Sequence, residues 1–430
     1  MLNILDEAKW CLQCKKPKCR EACPINNPIP EFIKLLIDGK IKEAGNLVFT
    51  NNPLTIVCSL VCPHSEYCQG HCIRGIKSTP VQIGQIEHYI AQYCLDHLDL
   101  FSTQEYSGEI GVIGGGAAGI ALAFYLQRVG YQVTIYESQA RIGGIMRYGI
   151  PEFRLPKSIL DRLETKLREL GVIIHPHTIV GPTTTVDDML RDGFDAVFMS
   201  TGVWKPIKLE IPGDSLGHVH YAINFLKSPE VFDLGNKVVV IGAGNVAMDC
   251  ARTAIRQSVR EVVVLYRKGE ADMPCRHDEY GWAKMDGVLF SFYSTPTRIT
   301  KEGIYYIDNS ENGSGEEEFI EADTVIIAIS QESQKNIVAT SPEIELDERG
   351  RVIVDEHMMT TKEGVFASGD VVTGAKTVNQ AVSQAKHAAN TIHNYVQSKK
   401  NPQWKEELLY SYDIMETKDE DLARFKRQDA

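Results

Sequence analysis

The stretch from Ile110 to Gly119, IGVIGGGAAG, constrains this chain more than any other. An apolar run leads straight into a glycine-rich turn, and Ala117 to Arg128 then reads as a helix. Each glycine has its own task in that order. Gly114 permits a tight turn, Gly116 lets the backbone approach a pyrophosphate, and Gly119 lets helix and strand pack closely. A second strand, Gln132 to Tyr136, ends in Glu137, 18 residues past Gly119, where an acid hydrogen-bonds a ribose 2′-hydroxyl. Strand, glycines, helix, strand and acid in register predict a dinucleotide cradle rather than an accident among 34 glycines.

The pattern recurs. Lys237 to Ile241 reads as a strand, and Gly242, Gly244 and Ala247 give G-x-G-x-x-A before another helix. The next strand, Glu261 to Leu265, ends in Tyr-Arg-Lys, so Arg267 stands where the first unit has an acid. A carboxylate there repels a 2′-phosphate, whereas a guanidinium pairs with one. Arg267 and Lys268 therefore point to NADPH, the alternative being an ordinary solvated strand end and NADH. An acid in one cradle and a basic pair in the next imply FAD followed by NADP. The stretches 196–202 and 324–329 read as the strands that close the two units. GVFASGDVV then sets Gly369 and Asp370 after a short strand, before Thr377 and a long helix from Val378 to about Val396. This reads as a return to the FAD domain, with an acid for the ribityl chain and a helix N-terminus for the flavin; the plainer alternative is a turn and cap.

Eight of the eleven cysteines fall between Cys11 and Cys72. In a reducing compartment such a cluster points to metal rather than disulfides. Cys11, Cys14, Cys19 and Cys23 are spaced C-x2-C-x4-C-x3-C with Pro24 behind them, and Cys58, Cys62, Cys68 and Cys72 form a second run. Both resemble the ferredoxin run, in which the last cysteine crosses to the other cluster. Cys11, Cys14 and Cys19 then take Cys72, and Cys23 joins the second run, where counting alone offers Cys58, Cys62 and Cys68. Zinc usually pairs two short knuckles across about 12–20 residues, so interleaved runs favour two [4Fe-4S] clusters. Cys94, Cys250 and Cys275 read as ordinary buried residues.

At 430 residues the chain exceeds one hydrophobic core. The expected plan is an α/β protein of two nested Rossmann-like domains behind a helical iron-sulfur domain. The limits are 1–103 for the clusters, 104–213 and 330–398 for FAD, 214–329 for NAD(P)H, and 399–430 for a charged tail or surface helix. Within the first, Ile29 to Phe49 reads as two helices broken at Gly39, residues 81–98 as a third helix, and Leu98 to Gly108 as a linker. A net charge of −12 argues against nucleic acid. The opening residues lack a secretory signal and no span is expected in a membrane, which suggests a cytoplasmic protein.

The assembly resembles the family of the NADPH-dependent glutamate synthase small subunit and the electron-input part of dihydropyrimidine dehydrogenase, over about residues 8–398. The echoes are VCPHSEYCQGHC at Val61 to Cys72, IGGIMRYGIPEFRLP at Ile142 to Pro156, and GNVAMDCART at Gly244 to Thr253. The resemblance implies FAD, NAD(P)H and two [4Fe-4S] clusters. It implies that Gly114, Gly116, Ala118, Gly119, Glu137, Gly144, Arg154, Gly369, Asp370 and Thr377 hold FAD, and that Gly242, Gly244, Asn245, Val246, Arg267 and Lys268 hold NADP. It replaces Cys58 by Glu87 as the fourth ligand of the second cluster, beside Cys23, Cys62 and Cys68. Cys58 itself and Arg267-Lys268-Gly269 lean towards the dihydropyrimidine dehydrogenase branch, and Glu87 towards the synthase. Ser330 departs from the glycine usual in the family at that place.

The implied reaction is hydride transfer from NADPH to the flavin N5, then single electrons through the clusters. With no substrate barrel after the last helix, the expected acceptor is a separate large subunit. A disulfide reductase of the thioredoxin reductase kind would need a C-x-x-C beside the flavin, and residues 73–430 hold none; a redox sensor or scaffold is the non-enzymatic rival.

Overall fold

The computed structural model describes residues 3–97 and 105–410, apart from 312, 314 and 335. The expected linker therefore falls largely, and the end of the tail entirely, outside the described residues.

The cysteine-rich opening is helical. Apolar residues at helical spacing bury one face of Ile29–Ile37 and Ile41–Asn51, and Gly39 turns the chain between them at φ +75°. Thr55–Val61 stops at Cys62, whose extended backbone is the one the following Pro63 permits. Ile83–Leu95 packs against the two preceding helices.

The same compact unit holds the first sheet. Its five parallel strands run in the order Val365–Ala367, Ala196–Met199, Glu109–Ile113, Gln132–Tyr136, Ile173–His175. The strand near the C-terminus thus pairs beside Ala196–Met199, returning the chain to the first cradle. Helix Ala117–Gln127 is buried almost all round, because the sheet covers one side and the long helix Val378–Lys400 the other. That long helix outruns its expected end by a turn. Residues 401–410, expected as exposed tail, instead form a strap. Asn390 donates to the Tyr410 carbonyl at 2.8 Å and accepts from its N–H at 3.0 Å, and Asn394 does the same for Glu407 at 2.9 and 3.0 Å.

A second unit comprises Ile145–Arg154 and Trp204–Glu332. Its parallel sheet runs Val219–Tyr221, Thr324–Ile327, Lys237–Ile241, Glu261–Leu265, Leu289–Ser291. An antiparallel meander, Ser294–Thr300, Gly303–Asp308 and Glu317–Glu321, covers part of it. Ile145–Arg154, expected with the first cradle, groups here.

Candidate functional site

In the first cradle Gly114 adopts φ +100°, and a Cβ on Gly119 would stand 2.1 Å from the Gly114 carbonyl oxygen. Only glycine therefore lets helix and strand meet here. Glu137 is buried beneath the turn. Its Oε2 accepts from the Gly115 N–H at 2.9 Å, and its Oε1 from the Gln139 N–H at 2.7 Å and the Ser138 hydroxyl at 3.1 Å. Oε2 keeps a lone pair for a ribose hydroxyl. Ser200, which the sequence pattern does not mark, donates to the Gly114 carbonyl at 2.8 Å and pins the turn to the adjoining strand.

Two distant segments close on this cradle. Gly144 lies so near that a Cβ on it would be 2.8 Å from the Gly116 Cα, and one on Gly369 would be 3.2 Å from the Ala118 Cβ. Asp370 follows, and burial pushes its carboxyl up to about 6 although its Oδ1 accepts the Lys376 N–H at 3.1 Å. Thr377 caps the long helix, with its hydroxyl 2.5 Å from Asn379 Oδ1. A backbone cradle without side chains, a buried acceptor and a capped helix fit a flavin dinucleotide. Arg154 groups apart from the other residues expected at FAD. It lies in the second unit, with Nη1 bonded to both oxygens of Asp249 at 2.8 and 2.7 Å and Nη2 to Glu279 at 2.7 Å. Those bonds hold its guanidinium in a buried ion-pair network.

The cysteines form two rings. Cys11, Cys14, Cys19 and Cys72 line one cavity of about 370 Å³ counted to its open mouth, and all four are partly exposed. Cys23, Cys58, Cys62, Cys68 and Glu87 line a second of about 330 Å³. The last cysteine of each run thus crosses to the other ring. Among the described residues no three His, Cys, Asp or Glu side chains converge as for a single metal ion. Zinc would need four ligands within about 2.3 Å of one point, whereas soft thiolates spread around a cavity suit a multi-iron cluster.

In the second ring Glu87 and Cys58 are both present and both buried. Asn27 and Thr55 donate to the same carboxylate oxygen of Glu87, Oε1, at 3.0 and 2.5 Å. Burial raises its carboxyl to about 7 in spite of them. Asn27 is held by Asn51 at 3.0 Å, and Asn51 by the buried Lys386 at 2.7 Å. From the same long helix Asn379 donates to Cys62 Sγ at 3.2 Å. Two lines of hydrogen bonds therefore run from the helix that closes the first cradle into the second ring. Asn27, Thr55, Asn51, Lys386 and Asn379 carry no sequence signal of their own.

In the second unit Gly242, at φ +120°, lies against the Ala328 carbonyl as Gly114 does against Ser200. Gly244 precedes helix Asn245–Arg256, on which Val246 is half-buried. Asn245 Oδ1 accepts the Arg276 N–H at 3.0 Å, tying the cradle to the loop beyond Leu265. Arg267 and Lys268 are exposed at the end of that strand. The second cradle opens on solvent at Gly244, where a Cβ would meet nothing within 4 Å. Asp249 sits one turn into the same helix, and burial lifts its carboxyl to about 6 against the pull of Arg154. The remaining cysteines, Cys94, Cys250 and Cys275, are each buried, far apart in sequence and in no C-x-x-C. No described helix is long and apolar enough to cross a membrane.

Residues 108–385 match the family described as pyridine nucleotide-disulphide oxidoreductase, and residues 2–98 match "Dihydroprymidine dehydrogenase domain II, 4Fe-4S cluster". The chain is 33% identical to the glutamate synthase [NADPH] small chain of Azospirillum brasilense, over 92% of this chain and 89% of that protein. It is 30% identical to the NAD-dependent dihydropyrimidine dehydrogenase subunit PreT of Salmonella typhimurium, over 92% and 95%. The thioredoxin reductase of T. acidophilum shares the fold, with a TM-score of 0.56 at 23% identity over 68% of this chain and 99% of that one. The chain thus belongs to the pyridine nucleotide-disulphide oxidoreductases, as an FAD and iron-sulfur oxidoreductase of the kind that includes glutamate synthase small chains and PreT.

Proposed function

We propose that the chain is an NADPH-oxidising electron-input subunit with two [4Fe-4S] clusters, feeding a separate large subunit of dihydropyrimidine dehydrogenase type. The observation that carries this reading is the pair of cysteine rings, the inner one hydrogen-bonded to the helix that closes the first cradle. The bound groups supply the redox chemistry: FAD exchanges electron pairs with a nicotinamide and single electrons with clusters. The chain's own residues bind and orient. Glu137, Gly144, Gly369, Asp370 and Thr377 surround the glycines Gly114, Gly116 and Gly119, with Ala118 between, as the FAD site. Cys11, Cys14, Cys19 and Cys72 hold the outer cluster, and Cys23, Cys62, Cys68 and Glu87 the inner one. Both hydrogen bonds to Glu87 fall on Oε1, which leaves Oε2 for iron. Gly242, Gly244, Asn245 and Val246 form the NADP cradle, and the exposed Arg267 and Lys268 take its 2′-phosphate. The relatives' names divide between NADPH and NAD, so this basic pair is what favours NADPH here. The division at 1–103, 104–213, 214–329 and 330–398 belongs to the same reading.

A second acceptor, a glutamine-dependent glutamate synthase large subunit, is favoured by Glu87 and by the 33% identity to a synthase small chain. Purification with native partners separates the two. A co-purifying subunit that reduces uracil on addition of NADPH is expected, and one with glutaminase activity overturns the choice. Arg267→Glu should raise KM for NADPH about tenfold or more while leaving that for NADH within about twofold; equal effects on both would remove the NADPH assignment.

A further inference from the structure

The outer ring lies beside a group of exposed apolar side chains. Trp10 is 54% exposed, Leu12 60%, Ile73 40% and Ile76 76%, large apolar side chains that a monomer has no reason to gather. Leu12 and Ile73 line the cavity of the ring itself, and Arg74 lies 4.2 Å over the Trp10 ring, joining the two segments into one face. The face is also basic. Residues 8–20 and 69–86 hold seven lysines and arginines and no acid; Lys9, Lys18 and Arg20 pair with Asp6, Glu21 and Glu31 outside these stretches, whereas Lys15, Lys16 and Lys77 form no ion pair among the described residues. Lys15, Lys16 and Lys18, between Cys14 and Cys19, and Lys77, beside Ile76, are exposed.

We infer that this face is the docking surface for a separate acidic protein carrying a one-electron centre, seated with an apolar middle over the outer ring and an acidic rim against Lys15, Lys16 and Lys77. This rests on the proposed electron-input function. An interface core of exposed apolar and aromatic side chains inside a charged rim is the arrangement that transient protein partners use, and the rim sets the rate and choice of partner. A second copy using the same face would set basic rim against basic rim, because a two-fold interface brings a patch onto itself. The electrons balance simply: NADPH becomes NADP+ and a proton, and the two electrons released leave singly through this face to reduce two partner molecules by one each.

The test uses the holoenzyme with two probes of opposite charge: rubredoxin, a small acidic one-electron protein, and the basic cytochrome c. Binding is followed on isotope-labelled, zinc-substituted rubredoxin by NMR, so that affinity is read without turnover. Lys15→Glu/Lys16→Glu should weaken rubredoxin binding about tenfold and abolish most of its salt dependence, and improve that of cytochrome c. Ile76→Ser, which leaves every charge in place, should weaken both probes. Rubredoxin affinity indifferent to both variants and to salt overturns the inference, as does wild-type self-association that the charge reversal abolishes. Flavin bleaching by NADPH is measured on the same samples. Its failure in wild type would instead remove the electron-input reading, whereas its preservation in the variants assigns any loss of binding to the docking face alone.

Discussion

The two cysteine rings are built from the same residue type at short spacings, yet they differ in what lies around the sulfurs, although Cys23 and Cys62 of the inner ring are partly exposed as well. The outer ring is partly exposed at each cysteine and opens onto an apolar, basic face. In the inner one Cys58, Cys68 and Glu87 are at most 6% exposed. Asn379 and the Lys386–Asn51–Asn27 line tie it to the helix that closes the first cradle. Ligands choose the kind of metal group, but hydrogen bonds to sulfur, burial and access set what that group does. On the proposed function, the difference makes the inner ring the receiver and the outer ring the exit.

The sharpest way to break this ordering is to remove one ring at a time. Cys19→Ser and Cys62→Ser should each cost about half of the iron, since a cluster that loses a thiolate is generally lost. Their consequences should then diverge. Without the outer ring, NADPH still reduces the remaining inner cluster. Without the inner ring, the outer cluster should persist and respond to dithionite but not to NADPH on the turnover timescale. If Cys62→Ser leaves the outer cluster as readily reduced by NADPH as in the wild type, the receiver and exit assignments fail. Electron paramagnetic resonance of the two variants reads this directly.

A smaller effect tests how the inner ring is completed. Its cavity is lined by four cysteines, Glu87 and His64, whereas the proposed cluster takes four ligands. Glu87→Ala should make the inner cluster labile, with iron lost to a chelator about tenfold faster or more, while Cys58→Ser should leave both clusters at full iron content. The reverse outcome would make Cys58 the ligand and Glu87 a buried acid held by Asn27 and Thr55. The outer ring, with four cysteines and no further Cys, His, Asp or Glu among the described residues that line it, serves as the internal control in both variants.

Much of this architecture could be read from the chain because it is encoded in neighbours. Gly114 and Gly242 at positive φ, the strand before each and the helix after each lie within a few residues, and so do the cysteine runs. The crossing of Cys23 and Cys72 could be read as well, since four-residue loops cannot wrap a cuboid alone. What escaped spans long separations between unremarkable polar residues. Lys386 meets Asn51 across 335 positions, and Asn27 meets Glu87 across 60; an asparagine has no periodicity that announces such a partner. The ion pairs of Arg154 escaped for a related reason. The residue sits in a segment of strong family resemblance, but its partners Asp249 and Glu279 are about a hundred residues away, and a motif records that a residue matters without recording what it touches. The strap at 401–410 was hidden by charged composition, because its anchors are backbone atoms held by Asn390 and Asn394.

The finest test of the comparison concerns Asn379, which donates to Cys62 of the inner ring from a side chain, whereas the donors described at Cys11 and Cys19 of the outer ring are the backbone N–H groups of Gln13 and Arg20. An N–H donated to a cluster sulfur stabilises the more negative, reduced state and so raises the potential. If that bond contributes about 1 kcal/mol, its loss lowers a one-electron potential by about 40 mV. Asn379→Leu should therefore shift the inner midpoint downward by about that amount and leave the outer one in place. Asn379→Asp, which removes the donor and adds a charge, should shift it further in the same direction. Because Asn379 Oδ1 also meets Thr377 at the cap of the helix, a purely structural role would disturb flavin retention in both variants instead. Equal shifts at both clusters, or none at the inner one, would mean that burial alone distinguishes the rings.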